Sequence, residues 1–330
     1  MRVAIDVSPL RQTRAGTARY LRALLPELER LVDVEPLAWG GTRKPATVAR
    51  DVWWYPLALP RRARTADVLH CPSFRGPTSS RVPLVVTVHD VGVLRRPAAF
   101  NRWTRGYSRF YVPRVVRAAE RVIAVSDFTK RELIDVLGVP EERVRVVPNG
   151  VGQPFVADGD RAEGEYVLAV GTVEPRKNLP RLAQATRAAG LELRVAGARG
   201  WGDVRVNGDG DGDGDGVRFL GFVPDEELAA LYRGALCFTY PSLYEGFGIP
   251  VLEALACGAP VVTSSGTAMA EVADGAAVLV DPTDAESIAA GIGEAISRGD
   301  ELARLGPARA AAFSWRSAAE ATASVYRELA

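Results

Sequence analysis

The residues best suited to chemistry concentrate in Phe238–Gly258, which reads FTYPSLYEGFGIPVLEALACG. The stretch reads as a buried strand broken at Pro241-Ser242, a loop holding Gly246 and Gly248, and a helix with Pro250 in its first turn. Proline is accommodated there because the first N–H groups of a helix have no intrahelical partner. Those N–H groups and the positive end of the helix dipole form an anion site, which glycine lets an anion approach closely. Two carboxylates bracket the site: Glu245 in the loop and Glu253 in the apolar run IPVLEALA. Burying Glu253 is costly unless its carboxylate is hydrogen-bonded, as a sugar or ribose hydroxyl pair would do. A half-exposed place at the helix edge also accounts for it.

Other groups carry chemistry of the same kind. GTVEPRKN (171–178) sets Arg176 and Lys177 after a strand end and before a helix beginning near Asn178. Adjacent cations there suit a diphosphate, the arginine bidentate and the lysine a point charge; a surface basic pair fits the octet as well. His89 and Asp90, Ser126, Asn149 and Gly150 fall at the carboxyl ends of expected strands, where parallel α/β sheets bind ligands. For His89 the plainer alternative is a histidine that caps a strand end. The run 94–121 carries Arg95, Arg96, Arg102, Arg105, Arg109, Arg114, Arg117 and Arg121 against Glu120 alone, with Trp103, Tyr107, Phe110 and Tyr111 interleaved. Such a helix can lie on an anionic membrane or hold an anionic acceptor. A solvated arginine face over core aromatic residues is the commoner arrangement and the one expected. NGDGDGDGDG (207–216) repeats D-x-D without the framing ligands of a calcium loop, so it reads as a flexible loop.

The elements that must position these groups alternate between strand and helix. Strands are expected at 3–9, 67–71, 83–90, 121–126 and 144–148, then at 166–172, 191–197, 217–222, 235–240, 259–265 and 276–281. Alternation of this kind implies parallel sheets covered on both faces. Between the two series, 151–165 is polar and aperiodic and reads as an interdomain linker. The loop after the first strand holds Gly16 alone, not the three glycines of a dinucleotide fingerprint, which argues against a nicotinamide or flavin enzyme. The tail FSWRSAAEATASVYREL forms an amphipathic helix capped by Ser314.

Composition narrows the class. The 330 residues suffice for two domains, and 47% apolar with 25% charged residues is ordinary for a globular protein. A net charge of +1 does not point to nucleic acid. No apolar run is long enough to span a bilayer, and MRVAIDVSPL lacks the marks of a signal peptide. Cys71, Cys237 and Cys257 are scattered, have no metal-ligand spacing, and suit a reducing cytosol. Lys177 is one of only three lysines, with Lys44 and Lys130.

Taken together, the motifs resemble those of the retaining, GT-B-fold glycosyltransferases of family 4, over essentially the whole length. The signature is E-x7-E, Glu245 to Glu253 within YEGFGIPVLEALACGAPVV, joined by HD (89–90), AVSDFTKREL (124–133), VVPNGV (146–151), GTVEPRKN (171–178) and LGFVPDEELAALYRGA (220–235). The resemblance implies an α/β architecture of two Rossmann-like, doubly wound parallel-sheet domains facing an interdomain cleft. It implies an acceptor-binding domain at 1–155, a nucleotide-sugar-binding domain at 156–312, and a final helix, 313–330, crossing back to the first. It assigns Glu245 to donor sugar hydroxyls near the reacting carbon and Glu253 to the ribose. Backbone N–H groups of Gly246, Phe247, Gly248 and Ile249 face sugar and phosphates. Arg176 and Lys177 serve the diphosphate, the backbone at Phe222 and Val223 the base, Gly16 the donor phosphate, and His89 the transferred sugar. Three places depart from the family pattern: Thr172 stands where many relatives carry arginine, with Arg176 as the replacement charge; Ala18 stands where a second glycine is usual; and the Asp–Gly run stands between 201 and 217 where a helix is usual.

The activity implied is transfer of a hexose from a nucleotide diphosphate sugar, GDP-mannose first, to a glycan, lipid-linked or small-molecule hydroxyl. Configuration is retained and neither metal nor cofactor takes part. The implied location is the cytoplasm, with 95–121 as the point of any contact with the inner membrane face. The rival readings are a non-hydrolysing sugar-nucleotide epimerase on the same fold and a catalytically silent sugar-nucleotide-binding protein.

Overall fold

A computed structural model describes residues 1–12, 16–41, 44–100, 102–198, 200 and 216–330. By packing, the chain divides into two compact units, one formed by Met1–Gly150 with Ser314–Ala330 and the other by Val151–Phe313. Residues 151–155, expected with the first domain, therefore pack with the second. The Asp–Gly run lies outside the described residues apart from Gly216.

The first unit holds β1 (Arg2–Asp6), α1 (Thr17–Leu28), β2 (Asp33–Leu37), α2 (Lys44–Ala49), a π-helical stretch (Arg50–Ala58), α3 (Leu59–Arg62), β3 (Val68–Cys71), β4 (Leu84–Val88), α4 (Gly92–Arg95), α5 (Arg102–Ala118), β5 (Arg121–Ala124), α6 (Asp127–Leu137) and β6 (Val144–Val146). Its described strands form one parallel sheet in the order β2-β1-β3-β4-β5-β6. The order reverses between β1 and β3. Val68, Leu69, Val85, Val86, Val122 and Ile123 are buried, as in strands covered on both faces. The sequence reading missed β2, where Asp33, Glu35 and Pro36 interrupt the apolar pattern; an edge strand tolerates such residues because one side of its ladder is open.

The second unit holds β7 (Tyr166–Val170), α7 (Leu179–Ala188), β8 (Glu192–Ala196), β9 (Val217–Gly221), α8 (Asp225–Gly234), β10 (Cys237–Tyr240), α9 (Ile249–Ala256), β11 (Val261–Ser264), α10 (Ala268–Ala273), β12 (Val278–Val280), α11 (Ala285–Ser297) and α12 (Gly299–Ala310). The strand order is β12-β11-β10-β7-β8-β9, again parallel, and it reverses between β7 and β10. One core packs Leu179, Leu182 and Ala183 of α7 and Ile288 and Ile292 of α11 against Val167, Leu193 and Val262 of the sheet.

The last helix, α13 (Trp315–Arg327), belongs to the first unit. Ser314 caps it by accepting from the Ser317 N–H at 3.0 Å. Ala318, Ala319, Ala323 and Tyr326 share a core with Tyr20, Leu21 and Leu24 of α1. Small alanines allow this close helix approach, and Gly150 assists: a Cβ there would lie 2.2 Å from the Trp315 nitrogen. The polar lock is His70 on β3. Its Nδ1 meets the Tyr326 hydroxyl at 2.6 Å and its Nε2 meets Thr87 Oγ1 at 2.8 Å.

The basic helix α5 corrects an expectation. Its buried face is Tyr107, Ser108, Val112, Val115 and Val116, whereas Trp103, Phe110 and Tyr111 are exposed, Phe110 at 60%. At roughly 100° per residue, Trp103 and Phe110 fall nearly opposite the valines. Tyr107 alone among the interleaved aromatic residues is core, and Tyr111 stacks on it with centroids 4.8 Å apart.

Burial pulls the His70 pKa from 6.5 down to about 3, with neighbouring His89 adding to the shift. Below pH 6.5 the unfolded chain binds a proton that the folded unit refuses. Stability is therefore full above that pH and is lost as pH falls towards 3, at about 1.4 kcal/mol per pH unit. We expect urea midpoints, followed by fluorescence of Trp39, Trp53, Trp54, Trp103 and Trp315, to drop between pH 6.5 and 5. The drop should be shallower in His70→Gln; equal slopes would remove His70 as the cause.

Candidate functional site

The reversal of strand order in the second sheet places two loops side by side. One leaves β7 through Gly171 and reaches a short 3-10 turn, Pro175–Lys177; the other leaves β10 at Pro241 and reaches Glu245. Such a reversal leaves a crevice beyond the carboxyl ends of the strands, where doubly wound sheets bind ligands. The first loop is drawn tightly against β8. A Cβ on Gly197 would lie 2.0 Å from the Gly171 carbonyl oxygen, so position 197 has no room for a side chain. Asn178 holds the turn closed in a left-handed conformation, φ 60°, and its Nδ2 donates to the Pro241 and Pro282 carbonyls at 3.1 and 2.6 Å.

Glu245 is the hub. It is 8% exposed, and the Arg176 guanidinium and the Lys177 ammonium each stand 2.6 Å from one of its oxygens. Ser242 Oγ and the Tyr240 hydroxyl donate to Oε1 at 2.9 and 3.1 Å. Lys177 also bonds the Tyr240 hydroxyl and lies 4.6 Å from its ring centroid. On the far side, Glu174 holds Arg176 at 2.6 Å. Burial pushes the Glu245 pKa up, but Lys177 and Arg176 outweigh it and bring it down to about 2. Burial draws Lys177 below the ordinary lysine range against the pull of Glu245. The result is a buried cluster of two cations and two carboxylates. Arg176 and Lys177 are not the surface pair that the octet alone allowed.

Gly246, Phe247 and Gly248 are buried and lead directly into α9. Gly248 adopts φ +97°, and a Cβ there would meet Met269 Cγ at 2.7 Å, so the entry to this helix requires glycine. Phe247 packs edge-to-face on Phe313 at 6.0 Å. Glu253, one turn into α9, is 2% exposed, which excludes the helix-edge alternative. The Tyr232 hydroxyl of α8 donates to its Oε2 at 3.3 Å. Phe222 and Val223 follow β9 directly, with Phe222 67% exposed.

The remaining two candidates lie in the first unit. Gly16 is the N-cap of α1 at φ +55°, with open space where a Cβ would stand. His89 follows β4, half-buried, with Nε2 2.9 Å from the Pro72 carbonyl. A carbonyl only accepts, so Nε2 carries the proton. Burial lowers the His89 pKa, with the Pro72 contact and Asp90 pulling the other way. In the neutral ring Nδ1 is then an acceptor, with no partner among the described residues.

The sequence reading did not single out Glu174, Tyr240, Ser242, Tyr232 or Tyr20. Glu174 lay within a quoted motif, and its place two residues before Arg176 was the available signal. Tyr240 and Ser242 flank the strand break, but a hydroxyl's partner is not visible without the fold. Among the described residues no group of three His, Cys, Asp or Glu side chains is arranged to hold a metal ion.

Known proteins are similar to this chain in sequence and in fold. The family model described as "Glycosyl transferases group 1" matches residues 156–311, and the one described as "Glycosyltransferase Family 4" matches 14–152. The chain is 33% identical over 303 residues to O-antigen chain mannosyltransferase B of Escherichia coli, covering 83% of this chain and 79% of that protein. Among solved structures, sucrose-phosphate synthase from Thermosynechococcus elongatus superposes with a TM-score of 0.78 at 20% identity, over 100% of this chain and 99% of that one. Anabaena Alr3699/HepE in complex with UDP-glucose gives a TM-score of 0.71 at 18% identity, over 100% of both chains. The structures share the GT-B fold, and the sequence match carries the family: the chain belongs to the family 4 glycosyltransferases.

Proposed function

We propose that the protein transfers a hexose, mannose from GDP-mannose in the first instance, to an acceptor hydroxyl with retention of configuration. The carrying observation is the Arg176–Lys177–Glu245 cluster beside the N-terminus of α9, at the strand reversal of the second sheet. Mannose is supported by the relative from Escherichia coli, a mannosyltransferase; the UDP-glucose bound by the Anabaena protein keeps other nucleotide sugars among the candidates. In this reading a donor diphosphate shares the two cations with Glu245. Arg176 and Lys177, the Ile249 N–H that opens α9 and the helix dipole all face the charge that develops on the leaving phosphate. This role is filled by fixed protein charge, so the reading requires no metal or cofactor. Glu245 takes donor sugar hydroxyls and Glu253 the ribose hydroxyls. The backbone at Phe222 and Val223 takes the base, Gly16 the phosphate, and His89 a hydroxyl of the transferred sugar through Nδ1.

The bond between the anomeric carbon and the phosphate oxygen breaks, and one forms from that carbon to the acceptor oxygen on the same face. The acceptor proton passes to the departing phosphate. No separate base is then required, and the neutral His89 need only accept a hydrogen bond. Replacing Lys177 by Ala removes a cation and leaves Glu245 half-compensated, so we expect kcat/KM for the donor to fall by about a hundredfold or more. Glu253→Ala should act mainly through donor affinity. Donor kinetics near those of the parent in both variants would overturn the assignment. Thermal shifts with GDP, UDP, dTDP and ADP identify the base, because a ligand of the folded state raises the unfolding temperature by mass action. A product from donor alone would indicate the epimerase instead.

The exposed face of α5 supports a second element of the reading, a peripheral site on the cytoplasmic membrane face. Arg102, Arg109, Arg114 and Arg117 accompany Trp103 and Phe110 there, and the helix holds no acid. Arginines meet anionic headgroups while the rings enter the interface. We expect co-sedimentation with phosphatidylglycerol vesicles but not with phosphatidylcholine vesicles. Phe110→Ser with Arg114→Gln should reduce it at least severalfold without changing turnover of a soluble acceptor.

A further inference from the structure

Among the described residues His89 makes one hydrogen bond, to Pro72, and its ring plane is set by packing. The Nε2–H to the Pro72 carbonyl fixes one atom and the tautomer, but leaves the imidazole free to swing about that bond. The contact that removes this freedom is Tyr20 of α1. Its ring meets the imidazole edge-to-face, with centroids 4.8 Å apart and planes at 78°. Tyr20 is 2% exposed and is itself backed by Trp315, 5.9 Å away at 66°. Trp315 is the first residue of α13, and its backbone lies against Gly150, where a Cβ would come within 2.2 Å. The other end of α13 is tied by the Tyr326 hydroxyl to His70, and His70 to Thr87 of β4, the strand that leads into His89 two residues later. The C-terminal helix therefore reaches His89 twice, once through aromatic packing and once through the strand that leads into it.

We propose that Tyr20, backed by Trp315, is a positioning residue that holds the His89 ring so that its bare Nδ1 points steadily at a hydroxyl of the transferred sugar. The inference rests on the reading of the chain as a hexosyltransferase with His89 at the sugar. Edge-to-face packing is directional, whereas an aliphatic side chain fills space without selecting a ring plane. The property required at position 20 is therefore the aromatic ring, not the hydroxyl. A misplaced acceptor weakens a contact made at the reacting sugar more than it weakens binding of the nucleotide, so the loss falls on kcat.

The test compares Tyr20→Leu, Tyr20→Phe and Trp315→Leu in the full chain, with His89→Ala alongside. Donor turnover is measured with the nucleotide that the thermal shifts select. Tyr20→Leu and Trp315→Leu should each lower kcat by roughly ten- to a hundredfold with donor KM nearly unchanged, and Tyr20→Phe should restore it. Long-range ¹⁵N–¹H spectra should show the Nε2–H tautomer held by Pro72 in the parent, Tyr20→Phe and Tyr20→Leu alike, while relaxation of the His89 ring C–H groups should show added ring motion in Tyr20→Leu alone. Parent-like kcat in folded Tyr20→Leu and Trp315→Leu, or failure of Tyr20→Phe to restore it, would overturn the proposal. If Tyr20→Leu does not fold, Trp315→Leu and Tyr20→Phe carry the decision. Undiminished turnover in His89→Ala would instead remove the underlying reading of His89, so the two failures are distinguishable.

Discussion

The second unit is built around a carboxylate that cannot stand alone. Glu245 is nearly buried, and ionised only because Arg176 and Lys177 reach it from the neighbouring loop. Taking away one partner of a buried ion pair costs roughly 3–5 kcal/mol, because the charge left behind has lost its water as well. The cluster thus constrains the whole end of the sheet. The Pro175–Lys177 turn has to face the loop after β10, and it does so because β7 and β10 are hydrogen-bonded neighbours at the strand reversal. Asn178 holds the turn, and the absence of a side chain at Gly197 lets the loop after β7 sit close.

Under its last helix the first unit meets the problem of buried polar groups in the opposite way. His70, Tyr326 and Thr87 form a neutral chain, so nothing there requires a counter-charge. Its limitation is acid, since a proton on His70 has no carboxylate waiting for it. The same chain fixes the last helix to the first sheet, although those residues are separated by the whole second unit in sequence. Packing of alanines against α1 supplies the apolar part of that attachment, and the tyrosine hydroxyl supplies its register.

How far the sequence was legible follows from which forces are local. Parallel strands buried on both faces announce themselves as short apolar runs, so β3, β4, β7 and β11 were plain, while the edge strand β2 was not. The glycine loop and the start of α9 were legible because Gly246, Gly248 and Pro250 constrain the backbone by themselves. The partners of Glu245 were not, because they lie 68 or 69 positions away in the chain and an ion pair leaves no periodic trace. The division of α5 into wet and dry aromatic residues followed helical phase only in part: Phe110 falls opposite the valines, whereas Tyr107 lies off their face and is buried because Arg75 and Tyr111 cover its ring. The choice for Glu253 between a buried group and an exposed one likewise awaited the helices that cover it.

The same cluster bears on how a donor would be gripped. Arg176 and Lys177 are already desolvated and oriented by Glu245, Glu174 and Tyr240, so a phosphate arriving there need not draw them out of water. It has only to share them. An arginine with five donors and a lysine with three can serve a carboxylate and a phosphate together, which a single counter-ion could not. Charge that grows on the phosphate during bond breaking would strengthen its share at the expense of Glu245, while the carboxylate retains Ser242 and Tyr240. The cations would then bind the departing group more strongly than the intact donor without moving, and that difference, not tight binding alone, accelerates a reaction.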